Sequence, residues 1–296
     1  AVFAVARSAA SVSYKDVLGK TVSKARRGTV TGTATSLAAA IILLLGACLA
    51  AGVIPLETTT IAVGLLIGGG LWLAAGVLFL RLVEADGATG GGVDGVAAAL
   101  SNLGLLRKDP QLGRFVMTRS LLTVTAVAPP YLLTMTSSGE RNLGSLGPFV
   151  VASSIATIVG GRLWGRLSDR SSRRVLIGSA GASTGLFLLA ALGILASPEL
   201  MTEAWAASIL LFLVVLAYQG VRLGRSTHLV DMADEHDRAV YTAVSNTVVG
   251  LVILAAGAFG ALSEAIGLGA LFLVFAGASA LAVVVGWGLD EVQSED

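Results

Sequence analysis

The sequence predicts an all-α fold, a polytopic bundle of transmembrane helices, and three observations carry that expectation. Hydrophobic residues fill 55% of the 296 positions and charged residues only 13%, against about 25% charge in an ordinary soluble domain. Eight segments are each long and apolar enough to cross a hydrocarbon core about 30 Å thick, which takes about 20 residues at 1.5 Å each. When those segments are threaded in order, all but one of the 20 Lys and Arg residues fall on the same side. Backbone groups in lipid must be paired within their own segment, so helices are expected, and the short alternating strands of a membrane barrel are absent.

The chain opens on Ala1-Val2-Phe3. Its first charge, Arg7, follows an apolar stretch too short for a span or a signal peptide. Residues 1–14 therefore read as the tail of a helix. The complete spans are Thr29 to Val53, Thr58 to Leu82, Phe115 to Ser137 and Ser145 to Leu167, followed by Val175 to Ser197, Glu203 to Leu223, Ala239 to Leu262 and Gly267 to Leu289. Residues 290–296 form an acidic tail.

Cytoplasmic loops of membrane proteins collect Lys and Arg. Here one side carries Arg7, Lys15, Lys20, Lys24, Arg26 and Arg27, then Arg81, Arg107, Lys108, Arg114 and Arg119. It continues with Arg162, Arg166, Arg170, Arg173 and Arg174, then Arg222, Arg225 and Arg238, whereas the other side has Arg141 alone. A single missed or invented span would invert every later loop, so this asymmetry supports the whole set. It places the C-terminus in the cytoplasm. The formal net charge of +1 conceals the segregation and supports no nucleic-acid partner.

Residues 83–114 make the longest connection, with Gly90-Gly91-Gly92 followed by an apolar stretch from Val96 to Leu106. This pattern predicts a flexible linker and a short helix on the membrane surface. The linker separates residues 1–82, which hold two spans and a helix tail, from a block of six closely connected spans at 115–289. Six spans after a long cytoplasmic loop suit the second half of a six-plus-six transporter built from two parallel repeats. A trace of such a repeat is visible, since Arg7, Ser11 and Asp16 have the spacing of Arg222, Ser226 and Asp231. On that reading residues 1–14 end a fourth span, and ~100 to 120 residues of a twelve-span protein precede the chain.

The loop after the fourth complete span reads Gly165-Arg166-Leu167-Ser168-Asp169-Arg170-Ser171-Ser172-Arg173-Arg174. It resembles the signature loop of the major facilitator superfamily, a glycine, three residues, an acid, a base, then glycine and two bases. Ser172 stands where the family usually has glycine. The residues themselves agree with the resemblance. Gly161 and Gly165, four apart, allow a neighbouring helix to approach closely, and Asp169 can accept from amides at another helix's N-terminus. The resemblance implies that this loop, with Gly161, Gly165, Asp169, Arg170, Arg173 and Arg174, latches one conformation by meeting the helix that starts at Gly28 or Thr29. A basic turn obeying charge sidedness is the simpler alternative. Tyr14 to Lys20 and His228 to Asp234 are similar to loops of bacterial members with unassigned substrates. The drug-antiporter signature of the fifth helix is missing from Thr31 to Val53.

Polar groups inside spans are costly and are functional candidates by default. Arg119 stands about two turns inside its helix, where it could meet an anion or snorkel to the surface. Pro129 and Pro130 remove two amide donors mid-span and predict a hinge. Tyr131 beside them carries a hydroxyl, and Gln219 can donate and accept. The resemblance places Arg7, Arg119, Thr123, Tyr131, Tyr218, Gln219 and Arg222 along a central solute cavity. Asn246 reads as an interhelical hydrogen bond, and Thr29, Thr31, Thr33 and Thr35 as helix-start hydroxyls. No Asp or Glu falls mid-span, so proton coupling would need an acid from elsewhere, another ion, or no coupling.

No nucleophile-base constellation, phosphate-binding loop or cofactor motif occurs, so an enzyme is not expected. His228, Asp231, Asp234, Glu235, His236 and Asp237 are better read as a solvated loop with Asp237 as helix cap than as a metal site. Cys48 is the one cysteine, inside an apolar run, and is expected to pack. The sequence thus predicts a monomeric transporter of a small solute working by alternating access in a bacterial cytoplasmic membrane, with the bilayer, the solute and any coupling ion as partners and no cofactor. The rival expectation is a membrane protein of the same fold with a sensing or assembly role and no transport.

Overall fold

The computed structural model describes residues 2–51, 53, 58–83, 102–136, 147–234 and 237–293. Thirteen α-helices occur among them. The first three are α1 (Val2–Thr21), α2 (Lys24–Ala50) and α3 (Thr58–Phe79). After a 3-10 turn at Asn102–Gly104 come α4 (Leu105–Lys108), α5 (Pro110–Leu121), α6 (Thr123–Thr136), α7 (Gly147–Arg170) and α8 (Ser172–Ala196). The last five are α9 (Pro198–Thr202), α10 (Ala204–Met232), α11 (Arg238–Ala256), α12 (Phe259–Ile266) and α13 (Leu268–Gly286). No strand is found among the described residues. The Gly90-Gly91-Gly92 linker and Arg141 lie outside them.

Six helical stretches are long and apolar enough to cross a membrane: Lys24–Cys48, Thr58–Phe79, Ser172–Ala196, Trp205–Met232, Arg238–Ile266 and Leu268–Gly286. The other two expected spans differ in instructive ways. The one read at Phe115 to Ser137 divides at Leu122, where the Thr125 amide and hydroxyl both donate to the Leu122 carbonyl, at 3.1 and 2.6 Å. Pro129 and Pro130 sit inside α6, below that division. The helix read at Ser145 to Leu167 is α7, whose last turns are rich in charge through Arg162, Arg166, Asp169 and Arg170.

Helix ends also move relative to expectation. α2 begins at Lys24, one turn before Thr29, and α10 continues past Leu223 to Met232, so His228 and Asp231 are helical residues and not loop. The reason is visible at each end. Arg27 folds back to donate to the carbonyls of Val22 and Gly19, and Thr227 donates to the Leu223 carbonyl at 3.1 Å along α10.

Two apolar clusters hold the bundle. Phe187, Phe272 and Phe275 meet at ring separations of 5.7–6.0 Å with Leu132 and Val214 from α6 and α10, and the two edge-on contacts of Phe275 add to area burial. Toward the arginine-rich end, Leu112, Phe115, Leu176, Val221 and Leu229 form the second. α3 is exposed on every side, Leu65, Leu66 and Leu73 included, as suits a helix whose solvent is lipid.

The most extensive helix pairing is α2 with α7. Gly28 and Gly32 of α2 face Gly161 and Gly165 of α7, and a methyl group on any of the four would overlap the opposite backbone. Small residues spaced by four let two membrane helices touch backbone to backbone. Ser36 extends the seam, its hydroxyl donating to the Ile158 carbonyl at 2.8 Å.

Candidate functional site

Above the glycine seam, at the arginine-rich end, Asp169 reaches across to α2. One carboxylate oxygen accepts from the Gly28 amide at 2.6 Å, and the other accepts from the Thr29 amide at 2.9 Å and from the Thr29 hydroxyl. These amides belong to the second turn of α2, because Lys24 to Arg27 add a turn ahead of the expected start. Hydrogen bonds to an ionised acceptor are about twice as strong as neutral ones.

The residue just before Gly28 on α2 makes a second tie. Arg27 pairs with Asp231 of α10, with both side chains nearly fully buried. The other Asp231 oxygen accepts from Gln293 at 2.6 Å, and Gln293 in turn accepts from the Ser172 amide and hydroxyl at 2.9 and 2.8 Å. His228 is fully buried, stacked on Phe115 with its Nδ1 2.9 Å from the Ser172 hydroxyl. Ser172 therefore does more than replace a glycine. No positive φ occurs at this turn, which is opened by the Ser171 hydroxyl accepting from the Arg174 amide at 3.0 Å.

The other bases of the signature loop turn elsewhere. Arg170 lies with Arg162 and Arg166 on one outward stripe of α7. Arg173 donates to the Trp287 carbonyl at 2.6 Å and covers the Trp287 ring, while Arg174 is exposed.

Beside these ties lies a cavity of about 240 Å³ lined by Tyr14, Lys15, Thr31, Arg119, Arg222, Leu223, Arg225 and Ser226. Four of these are cations, and no acid is among the described lining residues. Spacing explains the grouping, since Arg222, Arg225 and Ser226 sit at i, i+3 and i+4 on one face of α10. Arg119 is held from α11, donating to the Ser245 hydroxyl at 2.6 Å and to Asn246 Oδ1 at 2.9 Å, and its Nε has no partner. Arg222 makes only long contacts, 3.5 Å to Gln219 and 3.3 Å to Thr35. Lys15, past the apolar part of α1, is 9% exposed. Burial pushes its ammonium down to about 7, with the guanidiniums of Arg119 and Arg225 adding to the shift.

Of the candidates read from sequence, Arg119 and Arg222 line this cavity. Thr123 donates back to the Arg119 carbonyl at 3.3 Å, and Gln219 donates to the Thr157 hydroxyl at 3.0 Å. Tyr131 packs edge-on against Phe275 at 5.9 Å, in the apolar cluster. Tyr218 is half-buried, and the Arg7 side chain lies outside the described residues. Sequence reasoning passed over Lys15, Arg225, Tyr14, Thr31 and Ser226, as well as Arg27 and Asp231. The i, i+3, i+4 face of α10 was the available signal for Arg225 and Ser226. Among the described residues no group of three or more His, Cys, Asp or Glu could hold a metal ion.

At the start of α5, Asp109 caps the helix by accepting from the Gln111 and Leu112 amides at 2.9 and 3.2 Å and from the Tyr241 hydroxyl at 2.6 Å. Burial raises its carboxyl, but those three bonds outweigh it and hold the group below the usual carboxylate range.

No curated protein matches the chain. The family model of the Major Facilitator Superfamily matches residues 1–257. With apolar helices throughout and the signature loop at Gly165 to Arg174 seated on α2, the chain belongs to the major facilitator superfamily, a family of membrane transporters.

Proposed function

We propose that the protein moves a small solute across a bacterial cytoplasmic membrane by alternating access, with residues 1–82 and 115–289 as the two rocking parts. The observation that carries this reading is the Asp169 contact, which joins residues 140 and 141 positions apart through bonds that a small tilt would break. The Arg27–Asp231 pair lies beside it. Both ties close the basic end, which faces the cytoplasm by charge sidedness and carries the C-terminus. Opening that end would separate Asp169 from Gly28 and Thr29 and connect the cationic cavity to the cytoplasm.

Solute flux into proteoliposomes bearing the full-length protein as a monomer, across a panel of metabolites and drugs, tests the proposal. Saturable accumulation or exchange of at least one solute is expected, and it should be lost when α2 and α7 are cross-linked through cysteines replacing Thr29 and Asp169, whose side chains touch, and regained on reduction. A protein that binds its partners but passes none of the panel would refute the carrier reading.

A further inference from the structure

Four cations facing one small cavity call for an explanation. Lys15, Arg119, Arg222 and Arg225 come from three helices, and the described lining offers them no carboxylate. Like charges brought together away from water repel, and a buried charge without a partner costs several kcal/mol. Arg27 and Asp231, by contrast, compensate each other. Arg119 leaves its Nε unpaired, and Arg222 spends its donors on contacts of 3.3 Å and longer. The remaining lining groups, the hydroxyls of Tyr14, Thr31 and Ser226, are also able to donate.

We infer that this cavity binds a small organic anion carrying two or more negative charges, a phosphomonoester or a di- or tricarboxylate, which is the transported solute. The inference rests on the carrier reading above and names its substrate class. Guanidiniums match carboxylate and phosphate oxygens through two parallel N–H bonds, and three arginines allow several such forks around one ligand. The about 240 Å³ of space falls below the roughly 300–1,000 Å³ of drug-sized pockets, so the ligand is small. Thr31 lies one turn beyond the Gly28–Thr29 tie, so an anion here sits directly behind the closure.

The test is calorimetric titration and thermal melting of the full-length protein with inorganic phosphate and citrate as probes, against glucose and choline. Phosphate or citrate should bind saturably and raise Tm, while glucose and choline should do neither. Arg225→Gln and Lys15→Met should each weaken binding at least tenfold, Lys15→Arg should retain it, and Arg162→Gln on the outward stripe of α7 should leave it unchanged. A nanodisc arm separates a soluble anion from a lipid headgroup. If phosphatidylglycerol occupies the site and phosphate does not displace it, the solute proposal is overturned. Equal binding in Arg225→Gln and the unsubstituted protein would also overturn it. Anion binding without flux in proteoliposomes would strike the carrier reading and leave the anion site standing, whereas flux of neutral or cationic solutes alone would do the reverse.

Discussion

Arg27 and Asp231 form an ion pair across 204 positions of sequence, with side-chain exposures of 7% and 0%. A pair this buried behaves unlike a surface salt bridge, because removing one partner strands the other charge away from water. Asp231→Ala should cost about 3–5 kcal/mol, and Arg27→Leu combined with Asp231→Leu should recover much of that loss. Thermal melting of the unsubstituted protein and these two variants in one detergent gives the comparison. A double variant no more stable than Asp231→Ala would count against the pair as a structural tie.

Asp169→Asn keeps the shape but loses the charge that holds the Gly28 and Thr29 amides. The expected cost is about 1–3 kcal/mol of the closed form, read as faster hydrogen exchange at those two amides while the amides of α8 stay protected. Unchanged exchange at Gly28 and Thr29 would mean that the contact does not hold α2.

The glycine seam predicts a contrast between two sets of glycines. Gly32→Ala or Gly161→Ala inserts a methyl into the opposite backbone and should destabilise by about 1–3 kcal/mol. Gly69→Ala in α3 meets open space, and there alanine's higher helix propensity should stabilise by up to about 1 kcal/mol. Tm measurements on both sets decide the matter, and equal effects would contradict close helix contact as the cause.

Anion affinity should depend on pH through Lys15, which is charged below about 7 and neutral above it. The groups facing it are Tyr14 on its own helix, Arg119 of α5 and Arg222 and Arg225 of α10, with Arg238 of α11 one turn away against Gly19. Binding of phosphate or citrate should weaken as pH rises through 7, with proton uptake when binding is measured above it, because a bound anion favours the charged amine. Lys15→Arg should bind with little pH dependence from the protein over that range. Isothermal titration in buffers of different ionisation enthalpy reads the uptake, and none above pH 7 would sink this prediction.

Asp109→Ala should lose the cap of α5 and about 0.5–2 kcal/mol of stability. Because the folded carboxyl lies below its ordinary value of about 3.9, its contribution is full above that pH and disappears as pH falls through the folded value. A melting series from pH 6 to 3 should therefore show the gap between Asp109→Ala and the unsubstituted protein narrowing with acid.

How far the sequence could be read follows from what each feature depends on. The helical membrane fold depends on long apolar runs and one-sided charge, which are local and additive. The Asp169 contact was legible because glycines four apart and an acid one turn on describe a surface seeking a helix. Gly28 and Gly32 on the receiving helix carry the same spacing, yet nothing in α2 alone says which partner it meets. The cavity was harder still. Arg225 and Lys15 look like ordinary members of basic loops until α10 is seen to continue past Leu223 and α1 through Lys15, which brings both to the cavity that Arg119 lines. Tyr131 illustrates the opposite case, a hydroxyl beside two prolines that faces Phe275.

Arg27, Gly28 and Thr29 are consecutive, and acids from two different helices grip them. A three-residue stretch of helix is short and stiff, so a shift of this turn of α2 moves both grips together, and loosening one should show in the other: Asp169→Asn should also speed hydrogen exchange around Asp231.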